Sequence, residues 1–429
     1  MDAYVLEWGG LLLRWLHVIT AIAWIGSSFF FMHLDASLRK ASELPAQVGG
    51  VAWQVHGGGF YEMKKYLVAP ERIPEELTWH RWQSYWTWIS GFFLLVWIYY
   101  GQSSLYLIDP SVMQLTPVVA GLIGIGSLAV GWLAYDVLCK SALGKNDAVL
   151  AGIGFAFMVA ASWGFASVFS GRGALIHTGA LMATLMTANV FFIIIPNQKK
   201  VIADLVAGRS PNPALGKQAK QRSTHNNYLT LPVLFLMLSN HYPTTYANAA
   251  LIPLLVALVL IAGALIRHFY NIRHADHARS PWWALGAAAL AMGAAVAAVI
   301  AVSPLARDYF DLRRIVQSKT ASSLSAPPAP VVDIIVSRCS MCHAAEPAWD
   351  GIHVAPKGVI LDSEEAIRRQ AQAIWLHAVL THAMPPNNIT EMPVEERQAV
   401  AAWLRGASAE NRQAQVRDAI SIHGNGAIQ

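Results

Sequence analysis

The sequence is poor in charged residues. Asp, Glu, Lys and Arg make up only 13% of its 429 residues, whereas hydrophobic residues make up 55%. Since soluble domains carry about 25% charged residues, this composition excludes an ordinary soluble protein and predicts one embedded in a lipid bilayer. The formal net charge of +5 reflects basic loops beside the membrane and does not indicate nucleic-acid binding.

Cysteine is also scarce, with only three residues in the chain. Cys139 ends an apolar segment, where a packed thiol is expected. Cys339 and Cys342 belong to one C-x-x-C-H motif that ends in His343. No disulfide is therefore expected. A thioredoxin-like redox motif is the alternative interpretation of this spacing, but no βαβ pattern surrounds it.

Two further signals are missing. The N-terminus carries Asp2 and Glu7 but no leading Lys or Arg, so we expect no ordinary cleaved signal peptide and a first apolar segment that stays as an anchor. His56 precedes three glycines, which suit a flexible turn or the close approach of a ligand. The Gly-Lys-Ser/Thr ending of a nucleotide-binding P-loop is absent from this stretch.

The C-x-x-C-H motif predicts one covalently bound haem c. Two thiols at this spacing match the two vinyl groups of a haem, and His343 is then the proximal iron ligand. Met384, in a proline-flanked loop, is the predicted distal ligand because a thioether opposite His raises the haem potential and suits electron transfer. Met392 and His382 are the alternatives for this position.

The surroundings of the motif indicate a small helical domain. Helices are predicted over residues 331–345, 364–380 and 393–404, and the segment 331–429 resembles a class I cytochrome c. Haem is attached to such domains outside the cytoplasm, so this one is expected in the periplasm of a Gram-negative bacterium. The preceding Ser/Ala/Pro-rich linker, 306–330, is predicted to be an extended tether.

Residues 1–305 are predicted to form an all-α bundle of eight membrane spans. Most apolar runs reach the roughly 20 residues needed to cross the hydrocarbon core. The sixth run is short, so seven spans are the alternative. The eight runs cover residues 9–32, 82–100, 116–138, 148–169, 173–195, 228–240, 248–266 and 282–302.

The distribution of Lys and Arg favours eight spans. These residues concentrate in the loops after the first, third, fifth and seventh runs, whereas the intervening loops hold only Arg172. The positive-inside rule then places both termini outside the cytoplasm. This orientation agrees with the independent argument from haem attachment, and it predicts a multi-pass protein of the bacterial inner membrane.

Polar residues at membrane depth are candidates for function, and the predicted topology sorts them into two layers. Arg14, His17, His177 and His241 lie toward the outer face and are the catalytic candidates. Arg14 could instead reach the lipid headgroups, and His17 could be a packed core residue. A pair formed by His17 with His177 or His241 could hold a second intramembrane centre, either a haem b or a metal.

The inner layer supplies candidates for substrate binding. They are more numerous than the outer candidates and include the glycine-flanked histidine. The inner candidates are His33, His56, Lys64, His225 and Asn226.

Five long motifs resemble the membrane-bound urate hydroxylases of bacteria, a family that joins an eight-span domain to a C-terminal cytochrome c. The resemblance covers residues 5–405, with the spans in the same order. The motifs are WLHV (15–18), WIG (24–26), HGGGFYEMKKY (56–66), IHTGALMATLMTANVFFIIIPNQK (176–199) and HNNYLTLPVLFLMLSNHYP (225–243).

This resemblance implies oxidation of urate to 5-hydroxyisourate with water as the oxygen source. Electrons would pass through haem c to other cytochromes or a terminal oxidase, so hydrogen peroxide is not expected. Because haem c accepts one electron at a time, a radical intermediate or a second cofactor is required. The resemblance assigns no catalytic residue. A non-catalytic carrier of electrons from quinol to periplasmic partners is the alternative function, and a transport role is a third.

Overall fold

The computed structural model describes residues 3–40, 44–67, 70, 73–302, 326–349 and 352–404. Long helices dominate the first part of the chain, and short helices form the last. The helices before residue 303 are α1 (Ala3–Ser37), α2 (Trp82–Leu94), α3 (Ser103–Tyr106), α4 (Pro117–Lys140), α5 (Asp147–Ala166), α6 (Gly171–Ala188), α7 (Ile195–Val206), α8 (Pro213–Ser239), α9 (Ile252–Ala275) and α10 (Trp282–Val302).

Two of these helices continue as π-helical turns. Leu95–Tyr100 extends α2, and Asn189–Ile194 joins α6 to α7. A π-helical turn widens the helix locally and is frequent at functional sites. Both turns carry polar side chains into the bundle, as described below.

The membrane character of the bundle is supported by six helices that are long and apolar enough to cross a bilayer. These are Val5–Ser37, Pro117–Lys140, Asp147–Ala166, Gly171–Val206, Ala249–Ala275 and Trp282–Ala301. The second and sixth predicted runs are also helical, but α8 carries Arg222, Asn226 and Asn227 in or next to its first half. The structure is thus consistent with a multi-pass membrane protein, and the number of eight spans stays a prediction.

Helix α6 forms the centre of the bundle and packs against α4, α5 and α8. Small residues let these helices approach closely. A side chain at Gly131 of α4 would collide with Leu181 of α6, because its Cβ would lie 2.4 Å from a Leu181 methyl carbon. Gly263 of α9 likewise leaves room for Pro232, which lies inside α8.

A β-hairpin departs from the all-α prediction. Strands β1 (Val48–His56) and β2 (Gly59–Tyr66) pair antiparallel, and Gly57 and Gly58 form the turn with φ of 58° and 78°. Two consecutive positive φ values suit the twist of a two-residue hairpin and favour glycine. The glycines were correctly expected to form a turn, but the flanking strands were not predicted, because Gly49 and Gly50 interrupt the pattern of the first strand.

The C-terminal unit, residues 326–349 and 352–404, has its own core around Ile335, Ile367, Trp375 and Val400. Its elements are α11 (Ala329–Cys339), α12 (Glu364–Arg369), α13 (Ala371–Ile374), a π-helical turn (Trp375–Leu380) and a helix over 394–404. The predicted helix 364–380 is thus divided at Gln370, and the predicted helix 331–345 ends at Cys339. Most of the predicted linker 306–330 and residues 405–429 lie outside the described residues.

The C-terminal unit contacts the bundle at α3. The 3₁₀ turn Pro386–Asn388 packs against this short helix, which follows the π-helical turn of α2. Asp109, just after α3, interacts electrostatically with Arg397 of the C-terminal unit. The contact therefore joins the loop after Met384 to the end of the bundle where α2 ends and α6 begins.

The orientation of α8 decides the number of spans and can be measured directly. A topology reporter fused after Lys217 is expected to read cytoplasmic, one after Tyr246 periplasmic, and one after Arg279 cytoplasmic, because basic residues flank the inner ends of spans. Alkaline phosphatase and green fluorescent protein fusions provide complementary signals. The same reading at Lys217 and Tyr246 would mean that α8 does not cross, leaving seven spans.

Candidate functional site

The residues of the C-x-x-C-H motif share one helical turn. The backbone N–H groups of Cys342 and His343 both donate to the carbonyl of Cys339, at 3.2 and 2.9 Å. This turn presents both thiols and the imidazole together at the end of α11.

The imidazole of His343 is oriented for ligation. Its Nδ1 lies 2.9 Å from the carbonyl oxygen of Val359, which can only accept, so Nδ1 carries the proton. Nε2 is then left as the lone-pair nitrogen. A metal-ligating His commonly has its ring fixed in this way by a hydrogen bond from the other nitrogen.

Burial raises the pKa of the Cys339 thiol to about 11 and raises that of Cys342 as well. Catalytic cysteines of disulfide oxidoreductases have lowered pKa values, because the thiolate is the reactive form. Burial thus disfavours the thiolate form of both side chains.

Met384 is held by its backbone. Its N–H donates to the carbonyl of His377 at 2.9 Å, and its carbonyl accepts from Arg397 Nη1 at 2.9 Å. Its side chain is half-buried, whereas Met392 is 3% exposed within the apolar core of the unit. The Met384 side chain is thus more accessible than that of Met392, and its role as a ligand stays a prediction. His382, the other alternative, is exposed and has a φ of 48°.

In the outer layer, His177 is fully buried and uses both ring nitrogens. Nδ1 donates to the carbonyl of Gly173 at 2.8 Å, so Nε2 accepts from the hydroxyl of Tyr100 at 3.0 Å. Phe169 packs against the ring, with centroids 4.7 Å apart. Tyr100 belongs to the π-helical turn of α2, which explains how that turn contributes a polar group to the core.

His17 is anchored at one nitrogen only. Nδ1 lies 3.0 Å from the Thr87 carbonyl and 3.2 Å from the Ser90 hydroxyl. Since the carbonyl cannot donate, Nδ1 carries the proton and Nε2 has the lone pair. No hydrogen bond from a described residue reaches Nε2. Gly91 leaves room for the ring, as a Cβ there would lie 2.7 Å from it.

Arg14 and His241 form a basic cluster with Arg172 at the outer end of the bundle. Burial and the charges of Arg172 and Arg14 lower the pKa of His241. Arg172, in the first turn of α6 rather than in the preceding loop, lies over the ring of Tyr106 at 4.8 Å. The structure thus brings Arg14 and His241 together, while His177 and His17 each have separate partners.

The inner layer contains a buried ion pair that sequence reasoning missed. Arg222 of α8 is fully buried, and its Nη2 lies 2.7 Å from a carboxylate oxygen of Asp136 on α4. The guanidinium also lies over the ring of Tyr135 at 4.8 Å. The sequence places Arg222 just before the sixth apolar run and Asp136 within the third. An acidic residue within an apolar run is itself a signal of function.

A chain of amides extends from this ion pair. Arg222 Nη1 donates to Asn189 Oδ1 at 3.2 Å, and Asn189 Nδ2 donates to Asn226 Oδ1 at 2.9 Å. Asn226 Nδ2 in turn donates to the carbonyl of Met186 at 2.9 Å. Because a guanidinium can only donate, it fixes the orientation of both amides in sequence.

His225 belongs to the same network through Tyr135. The Tyr135 hydroxyl accepts from Asn189 Nδ2 at 3.1 Å and lies 2.6 Å from His225 Nδ1. The hydroxyl hydrogen is therefore available for donation to Nδ1. The structure thus places His225 and Asn226 in one polar cluster with Arg222, Asn189 and Tyr135.

The other inner candidates lie elsewhere. His56 and Lys64 are on the exposed hairpin, where Lys64 forms an ion pair with Glu62 at 3.1 Å. The ring of His33 packs against that of His274, with centroids 4.5 Å apart. These three residues are not brought together with His225 and Asn226.

A cavity of about 410 Å³ lies beside the amide chain. It is bounded by α1, the segment before α2, the helices α6 and α7 with their π-helical junction, and α8. Its walls include Trp24, Ser28, Trp79, Gln198, Ser223 and Asn226. Trp24 lies within the WIG motif (24–26), and Ser28 lies two residues after it. Sequence spacing does not show that these residues lie near Asn226 in the folded chain.

Within the described residues, no cluster of three or more His, Cys, Asp or Glu side chains forms a metal site. The predicted second intramembrane centre stays a prediction, since a haem b needs only two axial ligands.

Comparison with protein families matches residues 3–319 to the family described as Urate oxidase N-terminal. The match covers the whole bundle, α1 to α10, and well over half of the chain. The chain belongs to the urate oxidase N-terminal family. Neither the curated proteins nor the solved structures gave a match. Family membership indicates an oxidoreductase acting on urate, and the C-terminal unit lies beyond the matched residues.

The buried ion pair is expected to hold α4 and α8 together. Asp136→Asn leaves the Arg222 charge without its carboxylate in the bundle, and loss of one partner of a buried pair costs about 3–5 kcal/mol. The Tm of the purified protein in detergent should therefore fall markedly.

Asp204→Asn is the matched control for this variant. Its pair with Arg209 has the same 2.7 Å separation, but the Arg209 side chain is 63% exposed, and exposed pairs contribute about 0–1 kcal/mol. Equal Tm values for the two variants would contradict a structural role for the buried pair.

Proposed function

We propose that this protein oxidises urate to 5-hydroxyisourate in its membrane domain and passes the electrons to a haem c in its C-terminal unit. The observation that carries the proposal is the joining, in one chain, of a urate oxidase family bundle to a C-x-x-C-H turn with an oriented His343. Other cytochromes or a terminal oxidase would be the next electron acceptors.

The residues of the C-terminal unit fit this haem. Cys339 and Cys342 would hold it through thioethers, with His343 and Met384 as axial ligands. The orientation of His343 by Val359 and the half-buried Met384 support this set. When bound, the haem would supply a one-electron acceptor whose potential is raised by the thioether ligand.

The reaction balances with water as the only co-substrate. Urate, C₅H₄N₄O₃, combines with one water to give C₅H₄N₄O₄, two protons and two electrons. The bond formed joins the water oxygen to C5 of urate. One O–H bond of that water and one N–H bond of urate break, and these release the two protons. A neutral imidazole beside the bound urate would be suited to accept the proton of the attacking water.

The contact between the two parts of the chain supports transfer of electrons toward the C-terminal unit. Tyr106 of α3 lies 6.1 Å from Tyr99 between ring centroids, and Tyr99 lies 6.4 Å from His177. These rings lead from the core of the bundle to the surface where Pro386–Asn388 packs. A short distance between redox groups favours electron transfer.

Urate should reduce the haem without oxygen. Mixing the purified protein anaerobically with urate is expected to produce the absorption bands of ferrous haem c, because urate is the electron donor. Hydrogen peroxide should not form when oxygen is readmitted with urate present. Reduction by a quinol but not by urate would overturn the proposal and favour a quinol-linked electron carrier.

The axial ligand can be tested separately. Met384→Ala is expected to leave the haem covalently attached, shift its spectrum and lower its reduction potential, because the thioether is lost. Met392→Ala is the matched control, since it removes a thioether from the apolar core. If Met392→Ala instead causes the spectral change while Met384→Ala does not, Met384 is not the ligand.

A further inference from the structure

We infer that the cavity beside Asn226 is the binding site for urate, entered from the end of the bundle that carries the basic loops. This inference rests on the proposed function and specifies its substrate site. The observations behind it are the shape of the cavity, the unused polar groups on its walls and the amide orientation fixed by Arg222.

The size of the cavity suits a small planar ligand. Pockets for small molecules measure about 300–1,000 Å³, and this one measures about 410 Å³. Aromatic side chains on its walls, Trp24, Phe31 and Trp79, offer faces against which a bicyclic ring can stack. A fused two-ring heterocycle is small enough for this volume and can stack on these faces.

The polar groups in the walls are free to bind a ligand. Ser28, Gln198, Ser223 and His80 make no hydrogen bond to another described residue, although all four line the cavity. Urate carries N–H and C=O groups around its entire edge. Hydroxyl, amide and imidazole groups can each donate to or accept from that edge.

Asn226 supplies a donor of fixed direction. Its Oδ1 is occupied by Asn189, and one hydrogen of Nδ2 is occupied by the Met186 carbonyl. The second Nδ2 hydrogen is left for a group in the cavity. Arg222 determines this arrangement because a guanidinium can only donate, and its donation fixes the Asn189 amide. We therefore assign Arg222 and Asn189 as positioning residues that hold a donor toward a urate carbonyl.

Charge is compatible with an anionic ligand. Among the described residues that line the cavity, none is Asp or Glu, so no carboxylate repels a urate anion. The nearest cation of the network, Arg222, acts through the two amides. An electron-rich anion therefore meets donors and aromatic faces in this cavity rather than negative charge.

The position of the opening indicates the side of entry. Thr78, His80 and Gln198 lie at the exposed end of the cavity. Gln198 is followed by Lys199 and Lys200 at the inner end of α6–α7. The predicted topology places this end in the cytoplasm.

Binding can be measured apart from oxidation. In the dithionite-reduced holoprotein, the haem cannot accept electrons, so anaerobic equilibrium dialysis with radiolabelled urate reports affinity alone. Ser28→Trp should fill the cavity and weaken binding about tenfold or more, since added volume in a packed site is costly. Ile22→Trp on the same helix is the control, because Ile22 is 65% exposed and faces away.

A second pair of variants tests the mouth of the cavity without altering packing. Gln198→Glu adds one negative charge there and should weaken urate binding about fivefold at low salt, and less at high salt. Lys199→Gln changes the net charge by the same amount at the next residue, which does not line the cavity. Its effect on urate binding should be smaller.

The side of entry is tested with membrane vesicles. Urate added to inside-out vesicles should reduce the haem at once, whereas sealed right-side-out vesicles should respond only after permeabilisation. The reverse result would overturn entry from the basic end.

The outcomes separate this inference from the proposed function. If urate reduces the wild-type haem while Ser28→Trp and Gln198→Glu bind urate as their controls do, the cavity is not the site and the function stands. If the wild-type protein neither binds urate nor is reduced by it, the cavity assignment and the proposed function both fail. If urate binding weakens in Ser28→Trp and Gln198→Glu but not in their controls, the cavity is supported as the urate site.

Discussion

The buried ion pair between Arg222 and Asp136 is the interaction on which the inner half of the bundle depends. A guanidinium without exposure is tolerated only where a carboxylate and hydrogen-bond acceptors surround it. Asp136 supplies the charge at 2.7 Å and Asn189 an acceptor at 3.2 Å. The pair joins α4 to α8 and, through Asn189, fixes Asn226 beside the cavity. The contacts that hold α4 and α8 together therefore also orient the Asn226 amide beside the cavity.

The two polar layers differ in organisation, which is consistent with substrate recognition in the inner layer and electron transfer through the outer layer. The inner layer combines a cavity with oriented amides, which suits recognition of a polar heterocycle. The outer layer holds the ring of His177, the basic cluster around Arg172 and the surface that α3 offers to the C-terminal unit. His17, of the outer layer, lies on α1 seven residues before Trp24 of the cavity, or about 10 Å along the helix. An oxidation in the inner layer must therefore send its electrons outward through the bundle.

Features encoded by neighbouring residues were predictable, whereas features made by distant ones were not. The C-x-x-C-H turn and the long apolar helices follow from short spacing and from composition. His225 and Asn226 stand out in the sequence as polar residues beside an apolar run, and their role in substrate binding stays a prediction. Arg222, Asp136 and Tyr135 were not singled out, because their pairing joins α4 to α8 across some 86 residues. The hairpin was missed since its glycines conceal the alternation that strands usually show.

Coupling of urate oxidation to haem reduction within this chain is the central proposal for this protein. Anaerobic titration of the oxidised protein with substoichiometric urate, following both urate loss and haem absorbance, measures that coupling. Two haem equivalents reduced for each urate consumed is the predicted result, because the reaction releases two electrons. Consumption of urate only after oxygen is admitted, with the haem still oxidised and hydrogen peroxide formed, would contradict it.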